Sequence, residues 1–201
     1  MDHHINDDSA LEEIAKTIGS RKVLLVAPGK SIKGNTEKIR QKITEDDYCV
    51  ISINFLPAEI PVDMIYISNL KRFKNIDELN QNKNTMIIVT SNIGLEKGCE
   101  CLVVNYSSYL NGDRQIVDNA GLMCINLLNK INVKSLVLAG FDGFSGDLKE
   151  NYYEQSLYLE IRAERLADIN AATARRFAQL EKQMDLTFIT ETTYVQKDNK
   201  E

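Results

Sequence analysis

The residues with the clearest chemical potential follow the first apolar segment of the chain, in the stretch PGKS. Gly29 lets the backbone approach a ligand closely because it has no Cβ. Lys30 adds a positive charge, and Ser31, Asn35 or Thr36 is able to cap the helix that follows, whose N-terminal amides and dipole favour an anion. A Walker phosphate loop needs a glycine five residues before Gly29, where Leu24 stands instead. The stretch therefore predicts a phosphate-binding loop that is not of the ATPase type.

A carboxylate stands in a glycine-rich segment later in the chain, AGFDGFSGD. Asp142 lies between Gly140 and Gly143, on backbone with few steric restrictions. Such a carboxylate is able to accept hydrogen bonds from a sugar hydroxyl, act as a base, hold Mg²⁺ or cap a turn. The spacing does not choose among these roles. We treat Asp142 as a candidate catalytic residue and the two glycines as candidate ligand-binding residues.

A basic pair follows the third apolar segment, in the stretch SNLKRF. Asn69, Lys71 and Arg72 are expected just beyond the end of a strand. The guanidinium of Arg72 is suited to bidentate binding of a phosphate or carboxylate. Exposed lysines and arginines are also common in loops, so a solvated loop charge is the competing interpretation. We include all three residues among the candidate ligand-binding residues.

Seven apolar segments are the strands expected to position these residues, namely 22–27, 49–55, 63–68, 85–90, 101–106, 135–140 and 186–190. Most are continuous apolar runs, which is typical of parallel strands covered on both faces. Helices are predicted between them and after them, over 36–43, 75–82, 116–130 and 155–184. The alternation predicts an α/β fold, a single Rossmann-like three-layer domain with a mostly parallel sheet and a long C-terminal helix.

The chain length suits one hydrophobic core, because 201 residues is within the range of a single domain. We expect a polar or helical extension over 1–20, the Rossmann-like α/β domain over 21–195 and a polar tail over 196–201. The net charge of −5 argues against a nucleic-acid partner, which would require a concentrated basic face. No apolar run approaches the ~18 residues of a membrane span, and the acidic N-terminal residues do not resemble a signal peptide. A cytoplasmic location is the simplest expectation.

The chain has four cysteines, and their spacing does not predict a metal site. Cys49 and Cys124 lie in apolar segments and are expected in the core. Cys99 and Cys101 form a C-x-C pair, but no second cysteine or histidine cluster completes the ligand set of a zinc site. The only histidines are His3 and His4. We therefore predict no metal ligands in the protein, and leave the cofactor open with Mg²⁺ as a candidate.

Polar residues also follow other predicted strands. In open α/β sheets the ligand binds outside the carboxyl ends of the strands, so residues at these exits are the expected site. Asn54 follows the second strand, and Ser91 and Asn92 follow the fourth. Each of these residue types is also common in ordinary turns. Their recurrence along one edge of the sheet favours a binding cleft.

Several segments resemble bacterial lipooligosaccharide sialyltransferases. The similar stretches are VDNAGLMCINLLNKINVKSLVLAGFDGFSGD, LLVAPGKSI, ISNLKR and LEKQMDLTFITETTY. The resemblance implies a nucleotide or nucleotide-sugar pocket lined by Gly29, Ser31, Asn54, Asn69, Ser91 and Asn92. Those transferases use a histidine base late in the chain, whereas no histidine follows His4 here. Tyr152 or Tyr153 stands in a loosely similar region, and Tyr152 is included as a candidate catalytic residue.

A second resemblance is to the C-terminal region of 4-hydroxy-2-oxovalerate aldolase-like (HMG-CoA lyase-like) proteins. The stretches VLLVAPGKSI, ISINF, YISNLKR, LAGFDGFSGD and NYY carry it. It implies an appended domain associated with surface-polysaccharide synthesis, in which the lyase chemistry belongs to a separate metal-dependent barrel of roughly 250 residues. It also implies that a barrel domain is a candidate partner, whereas a second copy of the chain is a candidate partner because of the long C-terminal helix, whose charged face is able to form a dimer contact. We expect no lyase activity from these residues alone.

Three functions follow from these patterns. The first is an accessory domain that binds a nucleotide, a nucleotide-sugar or a phosphorylated metabolite. The alternative is a sialyltransferase-like glycosyltransferase that uses a CMP-sugar or another nucleotide-sugar without the histidine base. A pyrophosphokinase-like enzyme that uses ATP and Mg²⁺ is a third and weaker interpretation.

Overall fold

The computed structural model describes residues 5–80, 85–95, 100–147, 151–157 and 162–195. The strands are β1 Lys22–Val26, β2 Tyr48–Ile53, β3 Met64–Ile67, β4 Met86–Thr90, β5 Leu102–Val104, β6 Ser135–Ala139 and β7 Asp185–Phe188. The helices are α1 Asp8–Ile18, α2 Ser31–Glu45, α3 Leu70–Asn80, α4 Ala120–Lys130 and α5 Leu166–Leu180. Each of the seven predicted strands is present, so the α/β prediction is confirmed.

All seven strands form one parallel sheet in the order β5-β4-β3-β2-β1-β6-β7. β1 lies near its centre, where Val23 pairs with Cys49 on one side and with Leu136 on the other. Four of the five residues of β1 are buried, because helices cover both faces of the sheet. This explains why the sequence of β1 is a continuous apolar run.

Alternate residues of β1 belong to different layers. Val23 and Leu25 share a core cluster with apolar residues of α1, α4 and α5, whereas Leu24 and Val26 pack with apolar residues of α2. Ile76 of α3 packs with residues of β3 and β4 in a third cluster. Helices therefore lie on both faces of the sheet, which gives the three-layer Rossmann-like fold.

The helices begin at different residues from those predicted. α2 begins at Ser31, five residues earlier than expected, and α3 begins at Leu70, so that Lys71 and Arg72 lie in a helix and not in a loop. α4 begins at Ala120 because the Asn119 side chain caps it by accepting a hydrogen bond from the amide of Leu122, at 3.1 Å. Apolar periodicity alone does not locate such caps.

The last helix is shorter than the predicted segment 155–184. α5 comprises 15 residues from Leu166 to Leu180, and short 3₁₀ turns occupy 155–157 and 163–165. Residues 158–161 of the predicted helix lie outside the described residues, as does the polar tail over 196–201. Ile169, Phe177 and Leu180 are buried against the sheet, as the apolar pattern of this region predicts.

The helix of the N-terminal region packs on the same core as the rest of the domain. Leu11, Ile14 and Ile18 of α1 are buried in the cluster that α4 and α5 share. The carboxylate of Asp7 accepts hydrogen bonds from the Tyr109 hydroxyl at 2.7 Å and from the Asn105 amide at 2.9 Å. Asp7 therefore attaches the start of α1 to the segment after β5. None of the helices in the described ranges is long and apolar enough to cross a membrane.

The strand order places a topological switch point beside β1. From β1 the chain runs through β2, β3, β4 and β5 in one direction, and it then returns to place β6 and β7 on the other side of β1. The loops that follow β1 and β6 therefore diverge at the same edge of the sheet. In folds of this type a ligand crevice lies at that point.

Candidate functional site

A cavity of about 330 Å³ opens at the switch point. We call it the switch-point cavity. It is formed by the carboxyl ends of β1, β2, β3 and β6, by residues 115–119 and the first turn of α4, and by parts of 151–152 and α5. Seven of the candidate residues named from the sequence line it, namely Gly29, Asn54, Asn69, Gly140, Asp142, Gly143 and Tyr152. The sheet topology thus brings together residues from four strand exits.

The remaining six candidates do not line this cavity. They are Lys30, Ser31, Lys71, Arg72, Ser91 and Asn92. Ser91 and Asn92 follow β4, and Ser91 Oγ accepts a hydrogen bond from the amide of Tyr106 at 3.1 Å. Asn92 Oδ1 accepts one from the Thr90 hydroxyl at 2.5 Å. Lys30 and Lys71 are exposed at the starts of α2 and α3.

Ser31 and Asp142 connect the two loops of the switch point. The backbone amide of Ser31 donates a hydrogen bond to Asp142 Oδ2 at 2.7 Å, and its hydroxyl donates one to Oδ1 at 2.5 Å. Burial raises the pKa of Asp142, the two hydrogen bonds from Ser31 offset part of that rise, and the charge of Glu191 adds to it. The anion at the N-terminus of α2 is therefore a carboxylate of the protein itself. The sequence left open a cap of the turn that contains Asp142, whereas the carboxylate here lies at the N-terminus of a distant helix.

Two glycines allow these loops to meet. The amide of Gly29 donates to the carbonyl of Gly140 at 3.1 Å. A Cβ at Gly29 would stand 2.6 Å from Asp142 Cγ and would also overlap the Gly140 carbonyl. Gly140 has a φ of 75°, and a Cβ there would overlap the carbonyl of Ala27. Close contact between loops thus accounts for Gly29 and Gly140 without reference to a ligand.

Asparagine side chains hold the exits of β2 and β3 in place. Asn54 has a φ of 59°, a left-handed conformation that asparagine tolerates better than most residues. Its Oδ1 accepts a hydrogen bond from the amide of Ser68 at 3.1 Å. Asn69 Oδ1 accepts from the amide of Arg72 at 3.3 Å and caps α3. Both asparagines line the switch-point cavity, and the hydrogen bonds that they accept hold the backbone that forms its wall.

Arg72 is buried and binds backbone carbonyls. Its guanidinium donates to the carbonyl of Ser156 at 2.6 Å and to that of Leu157. Burial lowers the pKa of Arg72, and Tyr152 offsets part of that effect. The amide of Tyr153 donates to the carbonyl of Pro28 at 2.8 Å. Arg72 and Pro28 thus anchor the segment 151–157, which contributes Tyr152 to the cavity.

The structure adds cavity residues that were not chosen from the sequence. They include Gln115, Asp118, Asn119, Phe141, Phe144, Asn151, Thr173 and Tyr194. Two of them, Asp118 and Asn119, lie directly before α4, where an asparagine before an apolar run is a recognised helix-start signal. This signal marks the start of a helix and not the end of a strand, where ligands are expected in open α/β sheets. The others come from segments whose approach to the switch point is fixed by tertiary packing.

The lining of the switch-point cavity combines apolar side chains with polar ones that are mostly uncharged. Its amide side chains are able to donate and accept hydrogen bonds, and no lysine or arginine is among the described residues that line it. An anion there would be favoured by the first turn of α4. Asn119 Oδ1 accepts a hydrogen bond from the amide of Leu122 at 3.1 Å, and the Asn119 carbonyl accepts one from the amide of Met123 at 2.9 Å, while Ala120 and Gly121 line the cavity.

The described ranges contain no group of three or more histidine, cysteine, aspartate or glutamate side chains placed to hold a metal ion. Cys49 and Cys124 are buried in the core, as predicted. Cys101 is half-buried, and Cys99 lies outside the described residues. No protein-family model matches the chain, and no curated protein matches it.

Proposed function

We propose that the switch-point cavity binds a nucleotide, a nucleotide-sugar or a phosphorylated metabolite. We further propose that the domain serves as a ligand-binding accessory domain of an aldolase-like protein in surface-glycan metabolism. The observation that carries the ligand proposal is the position of the cavity, at the point where ligands bind in doubly wound α/β folds. The assignment to an aldolase-like protein is supported by the sequence resemblance described above.

The lining is suited to the uncharged parts of such a ligand. Asn54, Asn69, Gln115 and Asn119 offer amide groups for hydroxyls or for the edge of a base. The ring of Tyr152 lies at the cavity and packs edge-on to that of Phe144, with centroids 6.2 Å apart. A volume of about 330 Å³ is at the lower end of the range of small-molecule sites.

The first turn of α4 is the position proposed for a phosphate. The N-terminus of α2 is less suited, because the carboxylate of Asp142 is already hydrogen-bonded there. A second negative charge at the same place would be repelled. At α4 the amides of Ala120 and Gly121 adjoin the cavity, and a helix N-terminus favours an anion.

The test is a set of melting-temperature measurements with CMP, UDP, GDP, ATP, CMP-sialic acid and UDP-sugars, each with and without Mg²⁺. A ligand at 100 times its Kd stabilises the folded state by about 2.7 kcal/mol. For a chain of this size each kcal/mol raises the melting temperature by about 2–4 °C. We expect at least one compound to give a clear rise. No rise with any compound would contradict the proposal.

A pair of variants locates the ligand. Ala120→Trp places a bulky ring in the cavity wall and is expected to abolish the rise in melting temperature. Ala178→Trp makes the same substitution at an exposed position of α5 and is expected to leave the rise unchanged. An equal rise in both variants would show that the ligand binds elsewhere.

Glycosyl transfer is the second candidate function, and Asp118 favours it. This carboxylate lines the cavity and is exposed, and it forms no hydrogen bond or ion pair with the described residues. If the protein has this function, it is expected to hydrolyse a nucleotide-sugar donor slowly. Asp118→Asn is expected to abolish this hydrolysis. Donor that remains intact after long incubation would exclude this function and leave simple binding.

A further inference from the structure

A second cavity, of about 620 Å³, lies between α5 and the loop 111–116. We call it the arginine cavity because Arg114, Arg175 and Arg176 line it. Asp113 is the only carboxylate among the described residues that line it. Three permanent positive charges therefore face one negative charge, in a chain whose net charge is −5. None of these four residues was singled out by its sequence pattern.

Arg175 and Arg114 differ in their partners. Arg175 forms an ion pair with Asp113, with Nη2 2.9 Å from Oδ2, and its side chain is 63% exposed. Arg114 is exposed and forms no hydrogen bond or ion pair with the described residues. The carboxylate of Asp113 thus pairs with Arg175, whereas Arg114 and Arg176 have no carboxylate partner among the described residues.

Arg176 has the most unusual environment of the three. It is half-buried, and its guanidinium donates to Asn126 Oδ1 at 2.7 Å and to Gln179 Oε1 at 3.2 Å, both uncharged acceptors. Its Nε is buried and has no hydrogen-bond partner among the described residues. A buried N–H without a partner is rare, and a buried charge without a counter-ion is unfavourable. A bound anion would satisfy both.

We propose that the arginine cavity binds an oxyanion, the phosphate or carboxylate group of a small metabolite, with Arg176 and Arg114 as its ligands. The planar guanidinium presents paired N–H donors that match two oxygens of either group. The proposal is independent of the function proposed for the switch-point cavity, which is lined by neither arginine.

The test is isothermal titration calorimetry at low ionic strength with inorganic pyrophosphate and, in separate titrations, with citrate. Arg176→Gln and Arg114→Gln are each expected to weaken binding by about tenfold or more, because each removes charge-assisted hydrogen bonds. Arg114 is exposed and has no partner among the described residues, so its substitution does not threaten folding. Arg162→Gln is the matched control, since its side chain is 83% exposed and lies outside the cavity.

Tighter binding of pyrophosphate would identify a phosphate ligand, and tighter binding of citrate a carboxylate ligand. The proposal is overturned if neither anion binds, or if the Arg162→Gln control loses as much affinity as the two cavity variants. It is also overturned if Ala120→Trp abolishes anion binding, because the anion would then occupy the switch-point cavity. Anion binding that survives Ala120→Trp supports the proposal whatever the nucleotide measurements show.

Discussion

Asp142 accepts a hydrogen bond from Ser31 at each of its carboxylate oxygens, at 2.7 Å from the amide and 2.5 Å from the hydroxyl. The two residues stand 111 positions apart in the chain: Asp142 lies in the loop that follows β6, and Ser31 is the first residue of α2, directly after the loop that follows β1. The contact links the loop after β6 to the start of α2, on the two sides of the switch point. It also places a carboxylate at the N-terminus of α2, where an anion is stabilised by the helix dipole.

Removal of this contact is expected to destabilise the fold. Asp142→Ala leaves the amide and hydroxyl of Ser31 without their partner and should lower the free energy of unfolding by about 1–3 kcal/mol. The measurement is urea denaturation at neutral pH. Asp47→Ala, at an exposed position, serves as the control and should have little effect. Equal stability of Asp142→Ala and the control would contradict the role given to this contact.

The stabilising contribution of Asp142 should depend on pH. Burial raises its pKa above the usual value of 3.8, so the folded state favours the protonated carboxyl relative to the unfolded state. The pH-dependent part of the contribution is fully present below pH 3.8 and is lost as the pH rises through the raised pKa. The unfolding free energy of the wild type, relative to Asp142→Asn, should therefore fall as the pH increases above about 4. A difference that stays flat or rises would contradict the assignment.

Asp7 should show the opposite dependence. Burial alone would raise its pKa, but hydrogen bonds from Tyr109 and Asn105 and the charge of Lys130 outweigh burial, and the pKa is lowered. A lowered pKa stabilises the fold above pH 3.8, and this stability is lost as the pH falls through the folded-state pKa. Asp7→Asn should lower the unfolding free energy at pH 7 by about 1–3 kcal/mol.

The neighbouring Asp8→Asn provides the control for Asp7. Asp8 is exposed in the first turn of α1, so its substitution should change stability much less. Denaturation curves of both variants and the wild type between pH 3 and 7 give the comparison. If the difference in unfolding free energy between the wild type and Asp7→Asn is the same at both ends of this range, the lowered pKa attributed to Asp7 is contradicted.

Substitution by alanine should change the stability of the protein in opposite directions at Gly29, in the loop after β1, and at Gly34, in α2. Gly29→Ala brings a Cβ within 2.6 Å of Asp142 and into the Gly140 carbonyl, and should destabilise the fold by about 1–3 kcal/mol or more. Gly34 lies inside α2, and apart from its chain neighbours and the adjacent backbone of the helix, no atom of the described residues lies within 4 Å of the position that a Cβ would take there. Gly34→Ala should stabilise the protein by about 0.5–1 kcal/mol. Thermal unfolding of both variants is the measurement, and destabilisation by Gly34→Ala would be inconsistent with an open helix face.

The sheet was predictable because its signal is local. Strands that are buried on both faces must be apolar along their length, and residues 22–27 or 135–140 carry that pattern without reference to the rest of the chain. The starts of the helices were less predictable. Ser31 begins α2 with a hydrogen-bond partner 111 residues away, which no local pattern records.

Arg72 and the cavity residues before α4 illustrate the same limit for the site. The sequence placed Arg72 near a strand exit, and that position is close to the one observed at the start of α3. Its partners are the carbonyls of Ser156 and Leu157, which only tertiary packing brings to it. Gln115 and Asp118 reach the cavity because the chain crosses back from β5 to β6, a path that strand-end reasoning does not describe.

The most direct test of the central claim is to follow backbone amides by ¹⁵N NMR during titration with CMP, UDP and UDP-sugar in turn. Binding at the switch-point cavity predicts chemical-shift changes at the Gly121 and Gly143 amides, which line it, and none at the Gly34 amide, which does not. The absence of changes with every compound would contradict the account. Changes confined to amides outside the cavity would contradict it equally.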